Sequence, residues 1–248
     1  EIRFNILRTN CTDHVQYMQS FFFEMERDDA TVATALSLIN EAEDIEDVDG
    51  NKVITPIVWE CSCLQKKCGA CAMVINDRPA LACNVRLRDL KKNEVTLKPL
   101  SKFPVVEDLM VDRSILYENL EEMKIWLKDK ALTEPLDYDM AYEGSRCLQC
   151  GCCLEVCPNF YPGGYFFGMA AFTPTTRLLS EMSEERKKEL YSEYRKHIYD
   201  GCGKSLACRN ICPAEISIDS LMINSNAMAI WKRHRTKRKY NKIGDGLC

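Results

Sequence analysis

The stretch from Cys147 to Pro158 constrains this chain more than any other. It reads CLQCGCCLEVCP and places Cys147, Cys150, Cys153 and Cys157 at the spacing C-x2-C-x2-C-x3-C, closed by a proline. Three thiolates on so short a loop wrap three irons of one cubane, and the fourth cysteine reaches away to a second cluster. A second run is therefore required. It lies at Cys202, Ser205, Cys208 and Cys212, followed by Pro213, with Ser205 where a cysteine is expected.

The reciprocal use of the fourth cysteine sorts the ligands. Cys147, Cys150 and Cys153 with Cys212 make a [4Fe-4S] site. Cys157, Cys202 and Cys208 make a second site with three thiolates. A serine hydroxyl is a poor iron ligand because its pKa is far above that of a thiol, so this site is expected to hold [3Fe-4S]. The alternative is a serine-ligated or otherwise completed [4Fe-4S]. Cys152, between two ligands, is expected to pack or hydrogen-bond as a spectator.

A third set precedes these. Cys63, Cys68 and Cys71 follow C-x4-C-x2-C, with Cys83 as the distant fourth, which is the plant-type [2Fe-2S] pattern. Gly69 lets backbone N–H groups approach the sulfurs. Cys61 is read as a non-ligand, since four thiolates are already present. Zinc is the competing occupant, but this is not a common finger spacing.

Fifteen cysteines in 248 residues also raise the possibility of a secreted disulfide scaffold. Such scaffolds are small and poor in core. This chain is 46% hydrophobic and 28% charged, with its cysteines at metal-ligand spacing, which favours a reducing compartment. A net charge of -4 argues against a general nucleic-acid binder. No apolar run approaches the ~20 residues that cross a bilayer, and EIRFNILR shows no apolar signal-peptide region. There is no phosphate-binding glycine loop or dinucleotide fingerprint. His14, His197 and His234 sit near no nucleophile pattern, so no catalytic residue is expected. Such a chain conducts single electrons and needs partners at both ends.

The fold class read from these patterns is α+β. A plant-type ferredoxin (β-grasp) domain over residues 1–104 is followed by an all-α, bacterial-ferredoxin-like domain over residues 105–248. Ile2, Phe4 and Ile6 alternate as in a half-buried strand, and the stretch from Val15 to Met25 is its hairpin partner. Asp28 and Asp29 offer an N-cap for a helix reaching Asn40. Met73–Ile75, an Asn76-Asp77 turn and Leu81–Cys83 bring back the fourth ligand, and Val95–Leu97 ends the domain. Residues 101–112 read as a linker. A helical stripe follows through Ile115, Leu116, Leu120, Met123, Trp126 and Leu127, stopped by Pro135. The stretch NFYPGGYFFGMAAFTP reads as a tight apolar loop, either a shield for a cluster or a partner surface. Helices are expected over Ser183–Tyr199 and Ser217–Arg233. The tail KRHRTKRKYNK is either a solvated terminus or a contact for anionic lipid or an acidic partner. Cys248 reads as a free thiol.

The three motifs CLQKKCGACAMVINDRPALAC, RCLQCGCCLEVCP and CGKSLACRNICP, in this order, resemble the iron–sulfur subunit of succinate dehydrogenase and fumarate reductase over nearly the whole chain. The resemblance implies a [2Fe-2S] centre facing a flavoprotein subunit with covalent FAD. It implies a [4Fe-4S] centre in the middle and a [3Fe-4S] centre near a cytochrome b type membrane anchor that binds quinone, often with haem b. The protein would then sit peripherally on the cytoplasmic face of the cell membrane. Many members carry a tryptophan after the first Cys-Pro and a histidine after the first cysteine of the second run. Here Asn159, Phe160, Tyr161 and Pro162 occupy the first place and Gly203 the second, and the arginine pair before the first cluster is absent. The pattern is closer to members that use menaquinone and a dihaem anchor. Two further readings stand beside it: the iron–sulfur subunit of a soluble flavin-dependent enoate reductase, and a free-standing polyferredoxin.

Overall fold

The computed structural model describes residues 1–10, 12, 13, 15–25, 27–131 and 138–231. Pro135, His14, His234, the basic tail and Cys248 lie outside the described residues. Strand β1 (Ile2–Thr9) pairs antiparallel with β2 (Gln16–Phe23), as the alternation predicts. Helix α1 (Val32–Glu41) follows. Its cap is Thr31, not Asp28 or Asp29: the Thr31 hydroxyl accepts from the Thr34 N–H and the Thr34 hydroxyl accepts from the Thr31 N–H, each at 3.2 Å. This reciprocal box satisfies two otherwise orphaned donors, while Asp29 is drawn to Arg27 instead.

Strands β3 (Ala72–Ile75), β4 (Arg78–Leu81) and β5 (Glu94–Lys98) complete a five-stranded sheet of order β2-β1-β5-β3-β4. β1 and β5 run parallel, and the other pairs are antiparallel. Asn76 and Asp77 both have positive φ, 48° and 61°, as a two-residue hairpin turn requires. Phe4, Ile6, Val95 and Leu97 from the sheet and Val32 and Leu36 from α1 are wholly buried in one core.

Residues 101–112 are not a bare linker. β6 (Val105–Glu107) and β7 (Met110–Val111) form a small hairpin fastened to the sheet. Asp108 accepts from the N–H of Thr9 at 2.8 Å and of Val58 at 2.9 Å, and stands 2.8 Å from Arg8 Nε. Arg8 and Asp108 are 2% and 1% exposed, so burial demanded these partners. Helix α2 (Ser114–Glu122) then buries Leu116 but ends before Trp126 and Leu127, which are exposed.

The helical part comprises α3 (Tyr138–Ser145), α4 (Cys152–Glu155), α5 (Gly168–Glu181), α6 (Glu184–Tyr194), α7 (Ala207–Ile211) and α8 (Ile218–Asn226). π-helical turns extend α6 to Tyr199 and α8 to Trp231, close to the predicted ends. α5 is the central element, and it corrects one expectation: only 159–167 is loop, and GMAAFTP begins a helix with Pro174 inside it. The proline removes the N–H that would bond to the Ala170 carbonyl. That carbonyl instead accepts from Gln149 Nε2 at 2.9 Å.

Candidate metal centres

Gln149 lies inside the first cysteine run. Its bond to the Ala170 carbonyl, with a second to Cys147 Sγ at 3.3 Å, docks the run onto α5. The run turns through left-handed Gln149 and Gly151, φ 51° and 84°. Cys147 and Cys150 thereby share one neighbourhood with Cys153 and with Cys212 from the second run, and Cys153 also lies near Cys208. Burial is the main cause that raises the Cys147 and Cys153 thiol pKa values, with neighbouring thiols adding. Cys152 is fully buried and its thiol donates to Cys150, which holds the Cys150 pKa down at about 7. Burial and a hydrogen bond are what its position between two expected ligands predicts.

Cys208 faces Cys157 and Cys202. Burial, then these two thiols, push it up to about 11. Ser205 lies exposed between left-handed Lys204 and Leu206, φ 56° and 57°. The two loops are locked together by Asn159, whose Nδ2 donates to the Gly201 carbonyl at 2.8 Å. A Cβ on Gly203 would lie 3.0 Å from Asn159 Oδ1. Asn159 therefore fills the space that a side chain at 203 would need. Phe160, Phe166 and Phe167 are buried while Tyr161 and Tyr165 are 62% and 75% exposed, so the aromatic loop both packs inward and presents a surface. His197 is a core residue: its Nδ1 donates to the Tyr165 carbonyl at 2.7 Å and its ring stacks on Phe167 at 4.0 Å.

In the first set, the loop after Cys63 passes through left-handed Leu64, Lys66 and Gly69. This aims three backbone N–H groups at sulfur: Gln65 and Lys67 on Cys63 and Lys66 on Cys83, each at 3.3 Å. The first two hold the Cys63 thiol down at about 7. Burial pushes Cys71 up to about 12, with Cys83 and Cys68 as its neighbours. Cys61 is exposed and no hydrogen bond joins it to the described residues of this group. Amide donors converging on sulfur favour thiolate, the form that ligates iron. The donor chemistry of all three sets therefore fits iron–sulfur clusters. Among the described residues, no three His, Cys, Asp or Glu side chains come close enough to hold a single ion.

The first set abuts the second. Gly69 lies against Leu148 and Cys150. Around that contact, Lys66 pairs with Glu215 at 2.9 Å, Arg78 donates to the Asn210 carbonyl at 2.9 Å and Arg146 to the Ala214 carbonyl at 2.6 Å. Arg113 bonds to Glu60 and to the carbonyls of Ala70 and Ala72. Sequence reasoning missed these seam residues. Gln149 could have been suspected from its place between ligands, whereas Arg113 carries no local signal.

Residues 3–118 match the family described as a 2Fe-2S iron-sulfur cluster binding domain, and residues 143–216 the family described as a 4Fe-4S dicluster domain. The chain is 33% identical to the succinate dehydrogenase iron-sulfur subunit of Bacillus subtilis, covering 92% of this chain and 94% of that one. It is 28% identical to the fumarate reductase iron-sulfur subunit of Wolinella succinogenes, covering 80% and 85%. A chain from the solved Mycobacterium smegmatis Sdh1 complex in the apo form has the same fold, with a TM-score of 0.66 at 20% identity, covering 98% of both chains.

Proposed function

Because the chain belongs to the iron–sulfur subunits of succinate dehydrogenase and fumarate reductase, we propose that it carries single electrons between a FAD-bearing flavoprotein subunit and a (mena)quinone site in a cytochrome b type membrane anchor. Each cluster, when bound, supplies a one-electron carrier. We assign Cys63, Cys68, Cys71 and Cys83 to [2Fe-2S], Cys147, Cys150, Cys153 and Cys212 to [4Fe-4S], and Cys157, Cys202 and Cys208 to [3Fe-4S]. We divide the chain into units 1–104 and 105–248, with the hairpin of β6 and β7 strapping them together.

One observation carries the reading: the crossed neighbourhoods. Arg146, next to Cys147, donates to the Ala214 carbonyl two residues past Cys212 at 2.6 Å, and Asn159, two residues past Cys157, donates to the Gly201 carbonyl beside Cys202 at 2.8 Å; Cys153 lies near both Cys212 and Cys208. The protein's own part is to hold the thiolates, aim amides at them and keep the centres adjacent. Among the described residues no helix is long and apolar enough to cross a membrane, which is compatible with peripheral attachment. The test is EPR of the anaerobically purified protein, oxidised and then reduced with dithionite. A near-isotropic [3Fe-4S] signal lost on reduction, with a rhombic [2Fe-2S] signal gained, is the expected result. An oxidised sample with no signal overturns the assignment at Ser205.

A further inference from the structure

Arg113 stands where the first two centres meet. It opens α2, yet its guanidinium turns back into a cavity of about 420 Å³ lined also by Glu60, Cys68, Gly69, Leu148 and Gln149. One end holds the carbonyls of Ala70 and Ala72, at 3.0 and 3.2 Å, the two residues that flank Cys71. The other end meets Glu60. The Arg113 side chain is only 12% exposed, whereas Glu60 is 44% exposed. The positive partner is thus the less screened of the two. Its charge also reaches Cys150, on the facing loop. None of its contacts among the described residues involves the loops that carry Cys157, Cys202 and Cys208.

We propose that Arg113 sets the reduction potentials of the first two centres, its buried guanidinium raising both relative to the third. Adding an electron makes a cluster more negative, and a fixed cation in a weakly screened seam stabilises that form. Net charge and hydrogen bonding around the sulfurs are the protein's levers on such potentials. Arg113 supplies the charge directly and fixes the backbone on either side of Cys71. The inference rests on the cluster assignment above.

The test is a redox titration followed by EPR on the assembled complex, for the wild type, Arg113→Gln, Arg113→Lys and Glu60→Gln. In Arg113→Gln the oxidised-to-reduced ratio of the first two centres at a fixed potential should rise about tenfold, a fall of about 59 mV for a one-electron couple. The third centre should not move and serves as the internal control. Arg113→Lys should restore most of the shift, because it keeps the charge. Glu60→Gln should shift both midpoints upward through loss of its own charge, which calibrates how strongly this seam is screened. Unchanged midpoints in Arg113→Gln with all three signals intact overturn the proposal. If Arg113→Gln does not assemble, Arg113→Met, which keeps the packing and removes the charge, decides: a fall at the first two midpoints supports the proposal and unchanged midpoints overturn it. A wild type without cluster signals removes the assignment itself, which is a distinct result.

Discussion

Gly69 and Cys150 touch across the seam between the first two cysteine sets. A Cβ on Gly69 would fall 2.9 Å from the Cβ of Cys150 and 2.7 Å from the Leu148 carbonyl oxygen, and the glycine itself has φ +80°. Two demands therefore meet at one position: a left-handed backbone, and no side chain between the loops. Gly69→Ala should destabilise the fold by about 1–3 kcal/mol from backbone strain alone, with the displacement of backbone at Leu148 added. Denaturant unfolding measures the first effect. The magnetic coupling between the first two centres, read by EPR, should weaken as the loops move apart. An alanine variant with wild-type stability and coupling would show that the loops do not need this contact.

Pro174 and Gln149 make a second linked pair. An interior proline costs a helix about 3 kcal/mol relative to alanine, yet here it frees the Ala170 carbonyl for Gln149. Pro174→Ala should leave α5 as stable or more so, because the lost i→i−4 bond can form. It should also displace Gln149 and make the [4Fe-4S] centre easier to strip with a chelator. Gln149→Leu should share the second effect without the first, at a cost near 1 kcal/mol for the lost hydrogen bond. Thermal unfolding and cluster loss, followed together by absorbance, separate the two outcomes.

Lys66 and Glu215 join the first cysteine loop to the third residue after Cys212. The Lys66 hydrogen bond and charge hold the Glu215 carboxyl below its usual 4.5. Since the folded pKa is depressed, the contribution is fully present above 4.5 and is lost only as pH falls below it. Hydrogen exchange of the amides at 65–68 and 213–216 should therefore be flat from pH 6 to 8 after correction for intrinsic rates. It should quicken in Glu215→Gln, and in added salt, because the pair is exposed and screened. A pH step between 6 and 8 that disappears in Glu215→Gln would contradict the assignment.

Arg8 and Asp108 form the buried ion pair that ties the hairpin of β6 and β7 to β1. Arg8 Nε stands at ion-pair distance from Oδ2 but off the in-line direction of a hydrogen bond, while its other nitrogens bond to Gln19, Thr55 and Pro56. Removing one partner leaves a buried charge uncompensated, which costs about 3–5 kcal/mol. Asp108→Asn should cost the least, since the amide oxygen can still accept from one backbone N–H, and Asp108→Ala the full amount. Urea unfolding checks the order.

The cysteine spacing made a candidate site legible in the sequence because ligand spacing follows the geometry of the clusters it would hold, and the strand alternation of β1 and the Asn76-Asp77 turn are local signals. What was illegible depended on distant partners. The stretch 101–112 looked like a linker because its hairpin is held by Asp108, whose partners Arg8, Thr9 and Val58 are far away in sequence. GMAAFTP looked like a loop because Pro174 and a glycine argue against a helix locally. The helix forms because α5 is buried almost throughout, where three of its threonines satisfy their buried hydroxyls on carbonyls four residues back. Arg113 was invisible for the same reason, since its acceptors lie some 40 residues earlier.

Ser205 carries the last prediction. It lies on the second loop, exposed, between two left-handed residues that turn the backbone around it. Serine and cysteine differ by one atom, and neither the backbone conformation nor the space at this position opposes the exchange. Ser205→Cys should therefore supply a fourth thiolate beside Cys157, Cys202 and Cys208 without loss of fold. The oxidised [3Fe-4S] EPR signal should fall away and a reduced [4Fe-4S] signal should take its place. The midpoint of this third centre should drop, because cluster type is among the factors that set the potential. Ser205→Ala should leave the oxidised signal unchanged, since the serine is not read as a ligand. If Ser205→Ala abolishes the third centre instead, the hydroxyl is bound to iron and the centre is a serine-ligated [4Fe-4S].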